Sequence, residues 1–573
     1  MLSGVLLSLS LAGCTPSEQT PALSAPEPLF QEITFDAGLN VRHFSGPTKD
    51  YPMPQSIGSG CAFLDANGDE LLDILIVAGE ASDTPPEESL RRCTLLVQKK
   101  DGSFEDFSAE AGLAINAFGM GVATGDSDND GDLDVVITTC AGASFFLNDG
   151  TGRFQEMTAT AGIVTSRWTT AAAFFDYDRD GWLDLVIVNY VDYIPGSICE
   201  DGAGRRDYCG PLAFQGTVDR LYRNAGGDGR PGCFDDVTVS SGLINGTGKG
   251  LGVVCSDLTG DGQPDIYVAN DSEPNRLWVQ QPDGTFQDEA VLRGCAVDAQ
   301  NRPQASMGTV WADLNQDGLM DLFLTHLRGE TNTLYRQVSA GVFIDQTSAA
   351  GLGPPSLNMT GFGTAAADID LDGFADLLVA NGKVMRSSFL KPAPGGSHWD
   401  EYAENNQIFL GRRDAGFSEV INAAEPFIAK AEVSRGLAVG DIDNDGDLDV
   451  LVNNTGSVAR LFRNVATRKG HWLTVRAIDD SLNRDAIGAR IRVTCGNKSW
   501  MREVLPNSSY LSSHDSAVHF GVAESVRYDS IDVQWPDHEI TWERFDGGPS
   551  DCAVKLIRGS GRPVQSTPSE PVP

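Results

Sequence analysis

Short apolar runs recur along most of this chain, and each follows a polar segment with a fixed internal pattern. Runs such as 135–137 and 185–188 are rich in valine and isoleucine and have the length of a buried strand. The polar segment before each run has the form D-x-[D/N/T]-x-D-G-x-x-D in its better copies, and the chain carries seven copies. The pattern therefore predicts a repeated loop-and-strand unit and an all-β fold.

A second element alternates apolar and polar residues and lies between the acidic segments. Its form is F-x-[D/E]-x-T-x-x-A-G-L, and its alternation predicts a strand. The copies begin at Phe30, Phe104, Phe154, Phe234, Phe286, Phe343 and, in decayed form, Phe417. With a small-residue strand before each acidic segment and another strand after it, the unit has about four strands, which favours a propeller.

The order of these elements predicts how the ring closes. The repeats begin with an F-type strand at Phe30 and end with an acidic segment that no F-type strand follows. If the F-type strand is the outer strand of the preceding blade, the strand at Phe30 completes the last blade. The sequence thus predicts a seven-bladed β-propeller over residues 30–466, closed by pairing its two ends and left with few exposed edges.

The acidic segments, which we number loop 1 to loop 7, carry the oxygen ligands that a calcium ion needs. They span 65–73, 126–134, 176–184, 257–265, 313–321, 368–376 and 441–449. Calcium takes about six to eight oxygens, which side chains at positions 1, 3, 5 and 9 and the position-7 carbonyl would largely supply. Position 12 is apolar in all seven loops where an EF-hand has glutamate, so the EF-hand alternative is excluded. Plain polar turns are the other alternative, and seven copies with fixed spacing argue against them.

The sequence predicts ligands for up to seven calcium ions. They are Asp65, Asn67, Asp69 and Asp73; Asp126, Asp128, Asp130 and Asp134; Asp176, Asp178, Asp180 and Asp184; Asp257, Thr259, Asp261 and Asp265; Asp313, Asn315, Asp317 and Asp321; Asp368, Asp370, Asp372 and Asp376; and Asp441, Asp443, Asp445 and Asp449. Glu70 replaces the expected glycine and Thr259 replaces a carboxylate, so the sites at Asp65 and Asp257 should be the weakest. Loops and strands together resemble FG-GAP/VCBS-type repeats of calcium-binding, integrin-like propellers.

The net charge limits the classes of partner that the protein is expected to bind. The chain of 573 residues has 42 basic and 80 acidic residues, a net charge of −38, of which bound calcium would offset a part. The remaining negative surface would repel phosphate backbones, which excludes nucleic acids as a partner class.

The first residues predict export. Residues 2–12 are apolar but too few to span a bilayer, and they fit the core of a signal peptide over residues 1–13. Leu11-Ala12-Gly13-Cys14 resembles a bacterial lipobox, which implies a lipid on Cys14 and an outer or cell-surface membrane reached through that anchor alone. The alternative is a chance match to this motif in an ordinary signal peptide. The apolar run departs from the usual pattern of a signal, because no lysine or arginine precedes it. Residues 14–29 predict a flexible tether.

Cysteine pairs are expected in an oxidising compartment. The chain has 11 cysteines, of which Cys199 and Cys209 share one insertion, while Cys495 and Cys552 are the two in the last segment. These two pairs are the possible disulfides, and other pairings stay open.

A different strand pattern follows residue 466. The motifs N-R-D-A-I-G-A-R at 483–490, S-Y-L-S-S at 509–513 and D-V-Q-W-P at 532–536 together resemble the ASPIC/UnbV domain. That domain follows FG-GAP-type repeats in proteins similar to cartilage acidic protein, and the resemblance implies an architecture rather than a reaction. It places a small β-rich domain at 467–560 and leaves 561–573 as a disordered tail. Arg490, Arg502 and Glu503 form either a polar ligand site or an ion pair on a solvated strand.

Two long insertions predict the ligand surface. They span 190–215 and 382–406, and long loops on a rigid ring commonly carry function. The candidate contact residues are Tyr193, Arg205, Arg206, Tyr208, His398, Trp399 and Tyr402. The alternative is that disulfide-tied loops only cover the edges of the blades.

The sequence favours binding over catalysis. It has no G-x-S-x-G elbow, no H-E-x-x-H motif and no phosphate-binding loop. We therefore predict an exported, calcium-stabilised propeller that binds a protein or glycan, as an adhesion or scaffold module. The alternative is a hydrolase or lyase acting on an extracytoplasmic glycan or peptide at the insertion face, with His398 and His326 as candidate bases.

Overall fold

The structure is a computed structural model that describes residues 27–46, 48–79, 91–388 and 392–564. Within these ranges the chain forms seven four-stranded antiparallel sheets, followed by a C-terminal domain of two further sheets. The predicted all-β propeller class is confirmed.

Each of the seven sheets has an innermost strand of small and apolar residues. The first six sheets add their other strands outward in chain order, and the seventh takes its outer strand from the N-terminal end of the ring. The sheets are, first, Cys61–Leu64, Asp73–Ile76, Thr94–Gln98 and Phe104–Asp106; second, Gly119–Gly125, Asp134–Thr139, Gly142–Asn148 and Phe154–Glu156; third, Thr169–Phe175, Asp184–Asn189, Arg220–Asn224 and Phe234–Asp236; fourth, Gly250–Ser256, Asp265–Asn270, Arg276–Gln280 and Phe286–Asp288; fifth, Thr309–Ala312, Asp321–Leu324, Thr333–Ser339 and Val342–Asp345; sixth, Gly361–Ala367, Asp376–Asn381, Gln407–Gly411 and Phe417–Glu419; seventh, Ser434–Gly440, Asp449–Asn454, Arg460–Asn464 and Phe30–Glu32.

The sheets form a closed ring. The first strands of successive sheets lie side by side, and the first strand of the seventh sheet contacts that of the first sheet. In the seventh sheet Phe30 pairs with Asn464 and Glu32 with Phe462, so the N-terminal strand completes the last sheet. The predicted closure is confirmed. Every F-type strand is the outer strand of its sheet, and its phenylalanine is buried against the neighbouring sheet because that side of the strand faces the core.

The C-terminal domain packs two sheets around a core that includes Trp535, Phe520 and Ile531. One sheet comprises Trp472–Asp479, Arg484–Asp485, Val518–Gly521 and Cys552–Ile557; the other comprises Arg490–Cys495, Lys498–Glu503, Arg527–Gln534, Trp542–Pro549 and Arg562–Val564.

A loop of this domain, residues 507–513, fills the centre of the ring. Ser509 exchanges backbone hydrogen bonds with Thr309 of the fifth sheet, and Ser513 donates its backbone N–H to the carbonyl of Cys61 in the first sheet. The Tyr510 ring lies across Phe362 of the sixth sheet, at 4.8 Å between ring centres. Since all three ring residues stand on innermost strands, the loop ties together blades that are far apart in the sequence.

The remaining elements are short. The α-helices are Met53–Ile57, Ser108–Ala111, Ala290–Arg293, Gly353–Ser356 and Pro426–Ala429, and the 3-10 turns are Thr48–Asp50, Pro211–Ala213, Gly226–Asp228, Leu243–Asn245 and Trp399–Glu401. Three two-stranded pairs lie outside the main sheets: Arg91–Arg92 with Ala114–Ile115, Cys199–Glu200 with Arg206–Asp207, and Glu404–Asn405 with Ala431–Glu432. In the part of the chain that the structure describes, no helix has the length and apolar character needed to cross a membrane.

Candidate metal sites and ligand surfaces

The acidic loops share one hydrogen-bonding scheme. The position-1 carboxylate accepts the backbone N–H of position 6, as Asp126 does from Gly131 at 2.8 Å. The position-9 carboxylate accepts the N–H of position 2 with one oxygen and an N–H of the third strand with the other, as Asp134 does from Ser127 and Asn148 at 3.0 Å each. The third-strand donors in loops 1 to 7 are Gln98, Asn148, Asn224, Gln280, Gln337, Gly411 and Asn464. The position-9 side chain therefore fixes the loop to its own sheet.

Four loops bring three carboxylates to one point. In loops 2, 3, 6 and 7 the side chains of positions 1, 3 and 9 each offer an oxygen, and these oxygens lie within 4.8 Å of one another. The groups are Asp126, Asp128 and Asp134; Asp176, Asp178 and Asp184; Asp368, Asp370 and Asp376; and Asp441, Asp443 and Asp449. One oxygen of Asp128 and one of Asp370 are buried without a hydrogen-bond partner, so these two loops hold acceptors that only a cation or water would satisfy.

The predicted position-5 ligands stand outside these four groups. In loop 2 the Asp130 carboxylate accepts the N–H of Asp132 at 3.0 Å, which turns that oxygen towards the loop backbone. The structure does not test whether position 5 ligates an ion, and its role stays a prediction.

Loops 1, 4 and 5 have fewer carboxylates because Asn67, Thr259 and Asn315 stand at position 3. In loop 5 the Arg336 guanidinium forms a buried ion pair with Asp321. In loop 4 the Arg490 guanidinium lies 3.6 Å from the Asp257 carboxylate. Arginine thus supplies positive charge beside the carboxylates of both loops.

Loop 1 departs from the others at position 6. Glu70 holds φ at 64°, the left-handed region in which the other six loops place glycine. This conformation is strained for a residue with a side chain, which agrees with the prediction that the Asp65 site is weak.

Burial raises the pKa of the loop carboxyl groups. It raises the pKa of Asp126, Asp176 and Asp441 to about 7 and that of Asp368 to about 8, and neighbouring carboxylates add to the rise. Burial therefore disfavours the charged form of these carboxyl groups, and a bound cation would stabilise that form.

The C-terminal domain covers the face of the ring that carries these loops. The Trp500 indole donates to the carbonyl of Gly373 in loop 6 at 2.8 Å, and His519 Nε2 lies 2.8 Å from the carbonyl of Gly446 in loop 7. Arg484 donates to the carbonyl of Gly181 in loop 3. Sequence analysis did not predict this arrangement, since no motif in either part marks the other as its partner.

Three C-terminal residues that the sequence left open take part in this interface. Glu503 accepts from the Ser256 hydroxyl at 2.8 Å and lies 3.5 Å from Arg490. Burial lowers the pKa of Arg502, while the nearby Asp313 and Asp368 carboxylates of loops 5 and 6 counteract it. Arg490 and Glu503 pair with each other and also contact the propeller, and Arg502 lies near loop carboxylates, so the three residues belong to the buried interface and not to an exposed strand face.

Three aromatic residues of the predicted ligand surface are buried, so the prediction is wrong for them. Tyr208, Trp399 and Tyr402 are 6%, 4% and 1% exposed, and they pack against one another where the two insertions meet. Tyr402 donates to the Asp207 carboxylate at 2.6 Å, which ties the second insertion to the first. These side chains hold the insertions together because apolar surface is buried between them, and none is free to contact a ligand.

The two candidate bases are also engaged. His398 Nε2 lies 3.0 Å from the Tyr208 hydroxyl, and burial together with the nearby Arg386 lowers its pKa to about 4. His326 Nε2 lies 3.0 Å from the Ser306 hydroxyl, and burial lowers its pKa to about 3. Both imidazoles are thus neutral at pH 7 and part of the local packing.

The other three residues of the predicted ligand surface differ in their burial and in their partners. Tyr193 is half-buried against Trp168 and Phe214. Arg205 is exposed and pairs with Asp201 at 2.8 Å, whereas Arg206 lies 3.8 Å from Asp50.

One predicted disulfide is present and the other is absent. Cys199 and Cys209 are bonded and close the first insertion. Cys495 and Cys552 are free thiols on strands of different sheets, so that part of the prediction is wrong. The two cysteines lie in the same segment of the sequence, but they are apart in the fold because their strands belong to different sheets. Cys14 and the predicted signal peptide lie outside the described residues.

Two family models match the chain. The model described as ASPIC and UnbV matches residues 479–559, and that of an FG-GAP-like repeat matches 65–137, 128–187, 257–324 and 313–379. The chain is an FG-GAP repeat protein with an ASPIC/UnbV domain. The repeat matches fall on the ring, and the ASPIC/UnbV match falls on the C-terminal domain that covers it.

Curated relatives match more than half of this chain. Cartilage acidic protein 1 of Mus musculus is 26% identical over 382 residues, which cover 57% of this chain and 58% of the relative. Its Homo sapiens counterpart is 25% identical over 329 residues, with 56% and 46% covered. This chain therefore spans about half the length of the curated relatives that it matches.

Solved structures resemble the fold at low identity. A lectin of Agrocybe aegerita that recognises non-reducing terminal N-acetylglucosamine is 15% identical with a TM-score of 0.35, covering 69% of this chain and 88% of the lectin. A Bacillus licheniformis rhamnogalacturonan lyase is 14% identical with a TM-score of 0.35, covering 77% and 76%. YCF48 bound to a D1 peptide is 8% identical with a TM-score of 0.40, covering 78% and 100%. We draw no functional argument from these likenesses.

Proposed function

We propose that this protein is an exported, calcium-stabilised propeller that serves as a binding or scaffold module for a macromolecule. The observation that carries the calcium part is the convergence of three carboxylates in each of loops 2, 3, 6 and 7. Closely spaced carboxylates repel one another, and a hard divalent cation offsets that repulsion while using oxygens that lack partners. FG-GAP repeats often have this property, and the donor set of these loops fits it.

The seven loops are not equally suited to bind calcium. Loops 2 and 6 each hold a position-3 oxygen without a partner, on Asp128 and Asp370. Loops 1, 4 and 5 lack a carboxylate at position 3, where Asn67, Thr259 and Asn315 stand. Basic side chains lie beside carboxylates in other loops as well, as Lys469 does beside Asp370 in loop 6, so the number of carboxylates and not the nearby positive charge separates the loops. We therefore expect calcium to occupy loops 2, 3, 6 and 7 before loops 1, 4 and 5.

The ion count tests this proposal. Native mass spectrometry of protein equilibrated with calcium should show bound ions, and Asp128→Asn should lower the count by one. Asp283→Asn, which changes an exposed turn aspartate that accepts from Thr285, is the matched control and should leave the count unchanged. A protein that retains no calcium at millimolar concentrations would contradict the proposal.

We place the macromolecular contact at the first insertion. Ile194, Ile198 and Leu212 are 65%, 68% and 80% exposed, and they flank the loop that the Cys199–Cys209 bond closes. Exposed aliphatic side chains grouped in one insertion favour a protein partner over a glycan, because exposed apolar patches commonly mark protein contacts.

A protein array probed with the calcium-loaded protein tests this surface. A specific interaction should be weakened by Ile194→Ser and by Leu212→Ser. The exposed Val291, which lies outside both insertions, provides the control Val291→Ser. Equal loss in all three variants would contradict a contact at the first insertion, as would preferential binding on a glycan array that ignores these variants.

Export and anchoring remain part of the proposal because of the lipobox-like Leu11-Ala12-Gly13-Cys14. Mass spectrometry of the mature protein should find a lipid on Cys14, and Cys14→Ser should remove it together with membrane association. An unmodified Cys14 in the mature protein would contradict the anchor and leave export itself standing.

A further inference from the structure

A cavity of about 260 Å³ lies between the propeller and the ASPIC/UnbV domain. On the propeller side it is lined by Phe63 and Leu64, which belong to the innermost strand of the first sheet. On the domain side it is lined by Trp472, Thr474 and Arg476, which share one face of the strand Trp472–Asp479. Because neither part encloses this space alone, the cavity exists only in the assembled protein.

The strand that forms the domain wall is held in place on both sides. It pairs with Val518–Gly521 along one edge and with Cys552–Ile557 along the other. Its opposite face, Leu473 and Val475, lies in the hydrophobic core of the domain. The side chains that face the cavity therefore stand on a rigid support, as a preformed binding site requires.

Two residues that line the cavity, Thr474 and His514, each carry a polar group without a protein partner. The Thr474 hydroxyl oxygen is buried and makes no hydrogen bond. His514 Nδ1 accepts the backbone N–H of Val439 at 3.1 Å, so Nε2 carries the proton of the neutral ring. Among the described residues, no group accepts from that Nε2–H, and His514 lines the cavity. Buried donors and acceptors of this kind are normally satisfied, which points to an occupant.

The charges around the cavity disfavour an anion. The Arg476 guanidinium is taken by Asp485, at 2.9 and 3.1 Å, and the Ser516 hydroxyl donates to the same carboxylate. Asp515 also lines the cavity and has no ion pair of its own among the described residues. The surplus charge is therefore negative, while much of the wall is apolar.

We propose that this cavity binds a small, neutral, polyhydroxylated molecule, with the size and chemistry of a single sugar ring. Its apolar face would lie on Trp472 and Leu64, and its hydroxyl groups would meet Thr474, His514 and Asp515. The volume is slightly below the range of about 300–1,000 Å³ for ligand pockets, which suits one ring and not an oligosaccharide. The site is separate from the first insertion. Its lining includes Asp65 of loop 1 and Asp441 of loop 7, so calcium bound in those loops would reduce the negative charge of the cavity wall.

Titration of the full-length protein with glucose, galactose and N-acetylglucosamine, followed by calorimetry and saturation-transfer NMR, tests the site. At least one neutral sugar should bind, and glucuronate should bind less well than glucose. Thr474→Val removes the unpaired hydroxyl and keeps the side-chain shape, so it should weaken binding by up to about tenfold. Ala517→Leu should abolish binding by filling the cavity, which Ala517 lines.

Thr494→Val is the matched control, since Thr494 lies on a strand of the other sheet of the same domain. It should leave sugar binding unchanged, and thermal melts of all variants should verify that each is folded. The proposal is overturned if no neutral sugar binds the folded wild-type protein, with only ordered water in the cavity of a high-resolution crystal structure. Binding that both Thr474→Val and Ala517→Leu leave intact would overturn it equally.

Discussion

The two faces of the ring are held together by different forces. On the loop face, seven copies of one acidic segment bond to their own sheets in the same way, and the ASPIC/UnbV domain lies on them through polar contacts such as Trp500 to Gly373. On the insertion face, two unlike segments meet through buried aromatic rings, and a disulfide closes a loop within the first of them. One face therefore depends on charge compensation, and the other depends on apolar burial.

This difference has consequences for how each face responds to solution conditions. Interactions between carboxylates and cations change with pH and metal, whereas buried apolar contacts do not. Conditions that loosen the loop face should leave the insertion face intact, and a cavity made in the insertion face should leave the ion count intact. The predictions below test that independence.

Deleting residues 30–36 should have the largest effect, because both faces rest on the closed ring. The deletion removes the strand Phe30–Glu32 and leaves Arg460–Asn464 as an unpaired edge. An exposed edge invites aggregation, so little folded monomer should be recovered. Size-exclusion chromatography measures this, with a deletion of residues 567–573, which follow the last strand Arg562–Val564, as the control for chain shortening. A deletion mutant that elutes and melts like the parent protein would contradict closure by this strand.

Removing calcium should have the next largest effect and should act on the loop face. At about 1 mM calcium and a Kd near 0.1 mM, each site adds about 1.4 kcal/mol, so four sites add up to about 6 kcal/mol. Differential scanning calorimetry in EGTA should show a melting temperature lower by many degrees, restored by added calcium. The first insertion should resist proteolysis in both states. An identical melt with and without EGTA would contradict calcium stabilisation.

The chelated protein should lose stability as pH rises. The folded pKa values of Asp126, Asp176 and Asp441 are about 7, above the unfolded value of 3.8. A carboxyl group whose pKa is raised by folding stabilises the fold below its unfolded pKa, and this contribution is lost as pH rises through the folded pKa. Urea denaturation in EGTA should therefore show stability falling between about pH 4 and pH 8. Calcium should remove most of that slope, and a slope of opposite sign would contradict the assignment.

Trp399→Ala should destabilise the insertion face alone. Trp399 is 4% exposed and stacks on Tyr208, so its truncation should cost about 3–5 kcal/mol. The measurement is chemical denaturation, together with calcium counting by native mass spectrometry. Leu212→Ala, at an 80% exposed position, is the control and should cost little. A reduced calcium count in Trp399→Ala would show that the two faces are coupled.

The repeated parts of the molecule were predictable, because a repeat specifies the same local structure seven times. The alternation after Phe30 and Phe104 predicted outer strands, and the missing F-type strand after loop 7 predicted the closure seen between Phe30 and Asn464. Both inferences use only period and order, which the sequence contains.

The non-repeated parts were predictable only as strands and loops. Nothing in the residues around Trp399 distinguishes an aromatic side chain that binds a ligand from one that packs against another insertion, since both need the same side chain. The contact of Trp500 with loop 6 joins residues 127 positions apart, and it depends on how two finished domains fit together. The predicted Cys495–Cys552 disulfide was wrong for the same reason, because the positions of the two cysteines depend on how the sheets of the domain pack.

The smallest expected effect concerns loop 4, where the ASPIC/UnbV domain supplies a charge that calcium would otherwise supply. Arg490 lies 3.6 Å from Asp257, so the loop is partly neutralised before any ion binds. Arg490→Gln removes that charge and should allow one additional calcium ion at saturating concentration, since it leaves Arg179 as the remaining cation near Asp257 and Asp261. Arg492→Gln is the matched control on the same strand, because Arg492 pairs with Asp532 of the same domain and not with a loop. Native mass spectrometry should show one more ion for Arg490→Gln and no change for Arg492→Gln. An unchanged count in both variants would mean that Thr259 at position 3, and not the arginine, limits the loop 4 site.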